Sequence, residues 1–208
     1  MTSWLHEQRL DAVLSSLRAT GARTVLDLGC GQGDLLIRLA REAHIERIVG
    51  IDLSLESLDL LRVRLGDLPS DIRKCVTLVH GSMIEPDQAL TGFDAAVLVE
   101  AIEHVPPERL SALERTVFRD LRPAKVLITT PNRDYNPLLG VPERRFRHPD
   151  HRFEWGREKF RVWAEGVARR HQYFVSLSDL AGCHPRYGGP SQMGVFERAA
   201  DTRGPLAA

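Results

Sequence analysis

The sequence predicts an α/β domain built on a doubly wound, mostly parallel sheet of seven strands. Two observations carry that reading. Short apolar runs alternate with segments whose apolar residues recur at helical spacing, as strand–helix repeats do. The first of these runs also empties into a glycine-rich turn that opens directly into a helix, in "RTVLDLGCGQGDLLIRLARE".

In chain order, "MTSWLHEQRLDAVLSSL" reads as an amphipathic helix. Its apolar run is too short for a signal or transmembrane segment. The first strand, turn and helix follow. "RIVGIDLSLESLDLLRVRL" repeats the unit, with Asp52 closing the strand and Ser54 as N-cap. "KCVTLVHGSM" is a third strand and "FDAAVLVE" a fourth, followed by the helix "PERLSALERTVF". "AKVLITTP" is the fifth strand, stopped by Pro131. Residues 131–156 are then polar and rich in Pro, Arg and His, longer than a connector needs to be. The helix "REKFRVWAEGVARRH" and the strands "YFVSLSD" and "SQMGVFER" complete a domain over 1–198, leaving 199–208 as a flexible tail.

At 208 residues, with 43% hydrophobic and 27% charged side chains, the chain suits one soluble domain with a substantial core. Its 28 basic and 28 acidic residues cancel, so bulk charge selects neither nucleic acid nor membrane. The balance is uneven, however: residues 133–170 hold ten Lys/Arg against six Asp/Glu, which makes that segment +4 and the remainder −4. An anionic partner and a solvated helix face are both compatible with it. Cys30, Cys75 and Cys183 form no paired framework, which fits a reducing, cytoplasmic location.

"LDLGCGQGD" places Gly29, Gly31 and Gly33 where backbone can approach a ligand at a helix start. The spacing is G-x-G-x-G, not the G-x-G-x-x-G of dinucleotide folds. Asp27 before it would repel a pyrophosphate but suits a cationic amino-acid head. A tight structural turn is the rival reading. The pattern resembles the S-adenosylmethionine loop of class I methyltransferases, Rossmann-like domains of the predicted kind. That resemblance implies that Asp27, Gly29, Gly31 and Asp34 hold the methionine end. Asp52 then accepts the ribose hydroxyls beside Leu53, and Gly81, Ser82 and Met83 of "HGSM" lie alongside the adenine.

"VLVEAIEHV" leaves a buried strand and presents Glu100, Glu103 and His104. On a helical turn these stand at i, i+3 and i+4, on one face. Two carboxylates and an imidazole facing one point form an incomplete site for an octahedral divalent ion such as Mn²⁺ or Mg²⁺. A similar E-x-x-E-H occurs in class I methyltransferases without a metal role, so this segment alone leaves ligation open. "FRHPDHRFEW" supplies His148 and His151 as candidates for a fourth ligand.

Taken in order, "VLVEAIEHV", "ITTPNRDYN", "RHPDHRFEW" and "GPSQMGVF" resemble the HEN-type small-RNA 3′-terminal 2′-O-methyltransferases over about residues 5–198. The D-H-x-F-E-W box is the most specific element. The resemblance implies metal ligation by Glu100, Glu103, His104 and His151, with His148 in reserve. One departure is Gly156, where the family usually has Thr. Another is that bacterial members commonly carry a further domain that docks an RNA end-healing and ligase partner, and this sequence has no such domain. It reads as a free-standing member or as the methyltransferase part of something larger.

The expected activity is methyl transfer from S-adenosylmethionine to the 2′-OH of a 3′-terminal ribose, whose vicinal hydroxyls can chelate a cation held by four protein ligands. Glu103 or His104 would take the proton, and Arg133, Arg147 and Arg152 would contact phosphates. The expected partners are an RNA 3′ end and an end-healing and ligase assembly, with no membrane. Two rival readings are a metal-assisted O-methyltransferase of a catechol- or quinone-like molecule and an inactive cofactor-binding subunit.

Overall fold

A computed structural model describes residues 4–85 and 90–200. Residues 1–3 of the expected domain and 201–208 of the expected tail lie outside the described residues. Ala199 still donates its N–H to the Gln172 carbonyl at 2.9 Å.

Seven strands form one sheet: β1 Thr24–Leu28, β2 Arg47–Asp52, β3 Val76–His80, β4 Ala95–Val99, β5 Lys125–Pro131, β6 Tyr173–Leu180 and β7 Ser191–Arg198. Their spatial order is β3-β2-β1-β4-β5-β7-β6. The first five are parallel, and β7 runs antiparallel to both β5 and β6. The order reverses between β1 and β4, a switch point whose crevice at the strand carboxyl ends binds ligands in open α/β sheets.

Strand residues alternate between two buried layers. Val25, Ile48, Ala95, Val97 and Leu127 face one side; Leu26, Val49, Ala96, Leu98, Val126 and Ile128 face the other. Helices α1 Trp4–Thr20, α2 Asp34–Ala40 and α3 Leu55–Gly66 cover the first side. In α1, Leu10, Val13, Leu14 and Leu17 are buried, the i, i+3, i+4, i+7 stripe expected of an amphipathic helix. The short helix α4 Ser70–Arg73 precedes β3. On the second side lie α5 Leu110–Glu114 and α6 Arg157–His171. The fifth helix differs from the expected single helix: a 3₁₀ turn at Pro107–Arg109 leads into α5, which widens into a π-helix at Arg115–Leu121. The wider turns bury Val117, Phe118 and Leu121. No described helix is long and apolar enough to cross a membrane.

Residues 131–156 fold back on themselves. Arg133 N–H donates to the Trp155 carbonyl at 3.1 Å, and Asn132 bridges to Trp155. Gly156 then serves as N-cap of α6 without a side chain of its own. Asp134 takes over, accepting the Arg157 N–H at 3.0 Å. A Cβ at Gly156 would sit 2.4 Å from Asp134 Oδ1, so this cap has no room for a threonine unless Asp134 moves. The departure at Gly156 thus has a local cause.

Candidate active site

The glycine turn, the ends of β2 and β4 and the first turns of α1 enclose a cavity of about 460 Å³, within the range of small-ligand sites. Its wall includes Asp27, Gly29, Gly31, Asp34, Asp52, Leu53 and Met83. Gly29, Gly31 and Gly33 have φ of +83°, +52° and +81°, the left-handed region that side chains resist. Asp52 Oδ2 accepts the Gly31 N–H at 2.7 Å and Oδ1 accepts the Ser54 N–H at 2.8 Å, which locks the carboxylate to the turn and to the start of α3. Asp34 is already paired, with Arg64 at 2.7 Å and His6 at 3.0 Å. Burial pulls its pKa up, but Arg64 and His6 more than offset this and leave it below the usual carboxylate value.

Asp27 is different. It is 2% exposed, and its Oδ2 has no hydrogen-bond partner. Burial first, then the charge of Asp52, push its pKa up to about 7. A buried carboxylate without a partner is costly unless a ligand completes it. Asp27 lies on the cavity wall, so a cationic head fits the orphaned oxygen.

Of the cofactor residues expected from the sequence, Ser82 is the exception. Strand β3 ends at His80, and the Ser82 hydroxyl accepts the Ile84 N–H at 3.1 Å, away from the cavity wall. Met83 does reach the glycine turn, its Cε 3.4 Å from where a Gly29 Cβ would stand. His6 and Arg9, which sequence reasoning missed, also line the cavity from α1. They are three residues apart, one face of a helix, but nothing in the sequence placed that helix over the glycine turn.

At the end of β4 the expected helical turn is not formed. Glu100 adopts φ +49°, and only Ile102–His104 make a 3₁₀ turn. The single-face arrangement of Glu100, Glu103 and His104 therefore needs correction. Glu100 turns toward Arg9, 3.1 Å away, and accepts from the Thr129 hydroxyl at 3.1 Å. Glu103 points inward and is fully buried, with Oε2 accepting from Thr130 at 3.1 Å and Oε1 unpartnered. Burial, reinforced by the charge of Glu100, raises its pKa well above the usual value.

The D-H-x-F-E-W box is docked onto this turn by backbone: Arg152 N–H donates to the Glu103 carbonyl at 2.7 Å. The result brings one ligand atom each from Glu103, His104 and His151 within 4.8 Å of one another. Burial, then the neighbouring charges of His151 and His148, lower the His104 pKa and favour the neutral imidazole that ligation requires. His151 is nearly buried, and its Nδ1 lies 2.6 Å from Glu154 Oε1. A carboxylate on Nδ1 fixes the tautomer and turns Nε2 outward, the usual support of a metal-binding histidine. His148 is exposed and paired instead toward Asp150 at 3.7 Å. The orphaned Glu103 oxygen and the two histidines fit a divalent cation.

Among the expected phosphate contacts, Arg133 and Arg152 are exposed. Arg147 is not available. Its Nε donates to Asn136 Oδ1 at 2.6 Å and Nη1 to the Pro190 carbonyl at 2.6 Å, and Nη2 donates to the Asn132 carbonyl. It is an internal clamp of the 131–156 segment. Burial lowers its pKa, the cost of that placement.

Comparison with known proteins bears on the fold and the family. The family described as "Methyltransferase domain" matches residues 25–124. The small RNA 2′-O-methyltransferase of Rattus norvegicus is 37% identical over 204 residues, covering 93% of this chain and 51% of that protein. This chain thus spans about half the length of that curated relative. The crystal structure of the methyltransferase domain of bacterial CtHen1-C superposes with a TM-score of 0.85 at 39% identity, over 94% of this chain and all of that one. The small RNA methyltransferase HEN1 gives a TM-score of 0.85 at 31% identity, over 96% of this chain and 26% of that one. With the glycine turn, the E-x-x-E-H turn and the docked D-H-x-F-E-W box all in place, the chain belongs to the HEN-type small-RNA 2′-O-methyltransferase family, as its methyltransferase domain.

Proposed function

We propose that this protein transfers a methyl group from S-adenosylmethionine to the 2′-OH of the 3′-terminal nucleotide of RNA, with a divalent cation. The observation that carries the proposal is the buried Glu103 carboxylate, its Oε1 without a partner, gathered with His104 and His151 beside the cavity that holds the orphaned Asp27 oxygen. Asp27 would hold the cationic methionine end, Asp52 the ribose hydroxyls, and Leu53 and Met83 the faces of the adenine. Glu103, His104 and His151 would hold the cation. Glu100 is the proposed fourth ligand and must exchange Arg9 to serve. When bound, the cation supplies a Lewis acid that lowers the pKa of a ribose hydroxyl. Two imidazoles in the ligand set favour Mn²⁺ over Mg²⁺, which prefers oxygen ligands.

The chain's own residues do the remaining work. Glu154 keeps His151 in one tautomer, Thr130 orients Glu103, and His104 reaches the cavity wall as a neutral imidazole with one nitrogen free to ligate. Exposed Arg133 and Arg152 would attract the RNA backbone. An RNA end-healing and ligase assembly is the proposed partner, as the family resemblance implies.

Labelled methyl transfer to a short RNA, compared with transfer to a small catechol across a salt series in Mn²⁺, tests the substrate class. RNA is expected to be methylated, with activity falling as salt rises because phosphate contacts release counterions. Turnover of the catechol with none of the RNA would overturn the proposal.

The cofactor half is tested separately. Asp52→Ala is expected to weaken S-adenosylmethionine binding by about 1–3 kcal/mol, the cost of leaving buried hydroxyls unpaired. Calorimetric titration with unchanged affinity would remove Asp52 from the site.

A further inference from the structure

Arg147, the expected phosphate contact, is an internal clamp, and its inward turn leaves the preceding residue on the surface. Phe146 is 37% exposed, with the Arg133 guanidinium 6.0 Å from its ring centre. Leu138 and Leu139, from the 3₁₀ segment Arg133–Leu139, add apolar surface to the same folded-back segment at 48% and 40% exposure. Arg144, Arg145 and Arg152 are exposed along it. The platform is tied to the cation cluster by one atom. Glu154 Oε1 accepts the Arg147 N–H at 2.7 Å and lies 2.6 Å from His151 Nδ1. Phe146 is therefore anchored, one residue away, to the carboxylate that orients His151.

An exposed aromatic ring beside several arginines matches the chemistry of single-stranded nucleic acid, whose bases stack while its phosphates need cations. We propose that Phe146 is a stacking platform for a base just 5′ of the terminal nucleotide, with Arg133, Arg144 and Arg145 holding the adjoining phosphates. This rests on the RNA reading above. Charge favours RNA over a protein occupant. Of the acids within 133–152, Asp134 is spent on the α6 cap, leaving Glu143 and Asp150 against four exposed arginines. The role is one of positioning: a base held here sets which nucleotide reaches His151.

The test is fluorescence-anisotropy binding of a 5′-labelled single-stranded RNA of about a dozen nucleotides to the full chain, as wild type, Phe146→Ala and Phe146→Trp. Phe146→Ala should weaken binding about tenfold, equivalent to about 1.4 kcal/mol, while Phe146→Trp keeps or improves it. Single abasic sites are then walked through the last few positions. The alanine penalty should vanish when one particular base is removed and persist for the others. If wild type binds RNA and Phe146→Ala binds equally, the platform is overturned and the patch passes to a protein partner, while the RNA reading stands. A penalty that survives every abasic site also overturns stacking. If wild type binds no RNA, both readings fall together.

Discussion

Replacing His151 by alanine is expected to reduce cation-dependent methyl transfer at least about a hundredfold, with affinity for S-adenosylmethionine little changed. His151 is separated from the glycine turn in sequence and lies outside the cavity wall, so its loss should spare the cofactor. It is docked by the Arg152-to-Glu103 backbone bond, which the substitution leaves in place. The variant should fold. Removing the Nδ1 partner through Glu154→Gln should cost less, about 10–100-fold, because the ligand remains but its tautomer is no longer held. Manganese binding followed by electron paramagnetic resonance, together with single-turnover kinetics, checks both. Full activity in His151→Ala with loss in His148→Ala would transfer the role to His148.

The second large effect concerns Asp27. Its carboxyl titrates at about 7 in the folded chain against 3.8 for an ordinary aspartate, chiefly through burial. A raised carboxylate pKa means the folded state keeps a proton that the unfolded chain releases. Stability of the ligand-free protein therefore declines as pH rises from about 4 through about 7. Asp27→Asn has no such group. It should match wild type near pH 4 and be more stable near pH 8, by roughly 2–4 kcal/mol. If Asp27 holds the cationic methionine end as proposed, the same substitution removes its charge, and cofactor affinity should fall about 10–100-fold. Urea unfolding at several pH values, paired with calorimetric titration, measures both. A stability difference that does not change with pH would contradict the buried-carboxylate account.

Strand–helix alternation made the sheet legible because the central strands β1, β2, β4 and β5 are apolar on both faces and α1 carries a clean stripe of Leu10, Val13, Leu14 and Leu17. Asp27 and Asp52 were legible because acids at the ends of apolar strands have few other reasons to be there. The placement of Glu100 on one helical face with Glu103 and His104 failed for a physical reason. The i, i+3, i+4 argument assumes helical backbone from the first residue, and a left-handed φ at Glu100 breaks that assumption. Arg147 was misjudged because sequence shows a charge but not the three oxygens folded around it. His6 and Arg9 went unseen because their role depends on where α1 docks, a tertiary fact. The approach of His151 to Glu103 and His104 was expected only through the family resemblance. The structure supplies its cause in the backbone bond from Arg152 to Glu103.

The central claim is that a terminal ribose with both vicinal hydroxyls free completes the site formed by Glu103, His104 and His151. The most direct measurement is labelled methyl transfer in Mn²⁺ to one RNA prepared with a free 3′ end and with a 3′-phosphate. The account predicts methylation of the free end and none of the phosphorylated end. Equal methylation of both would contradict it.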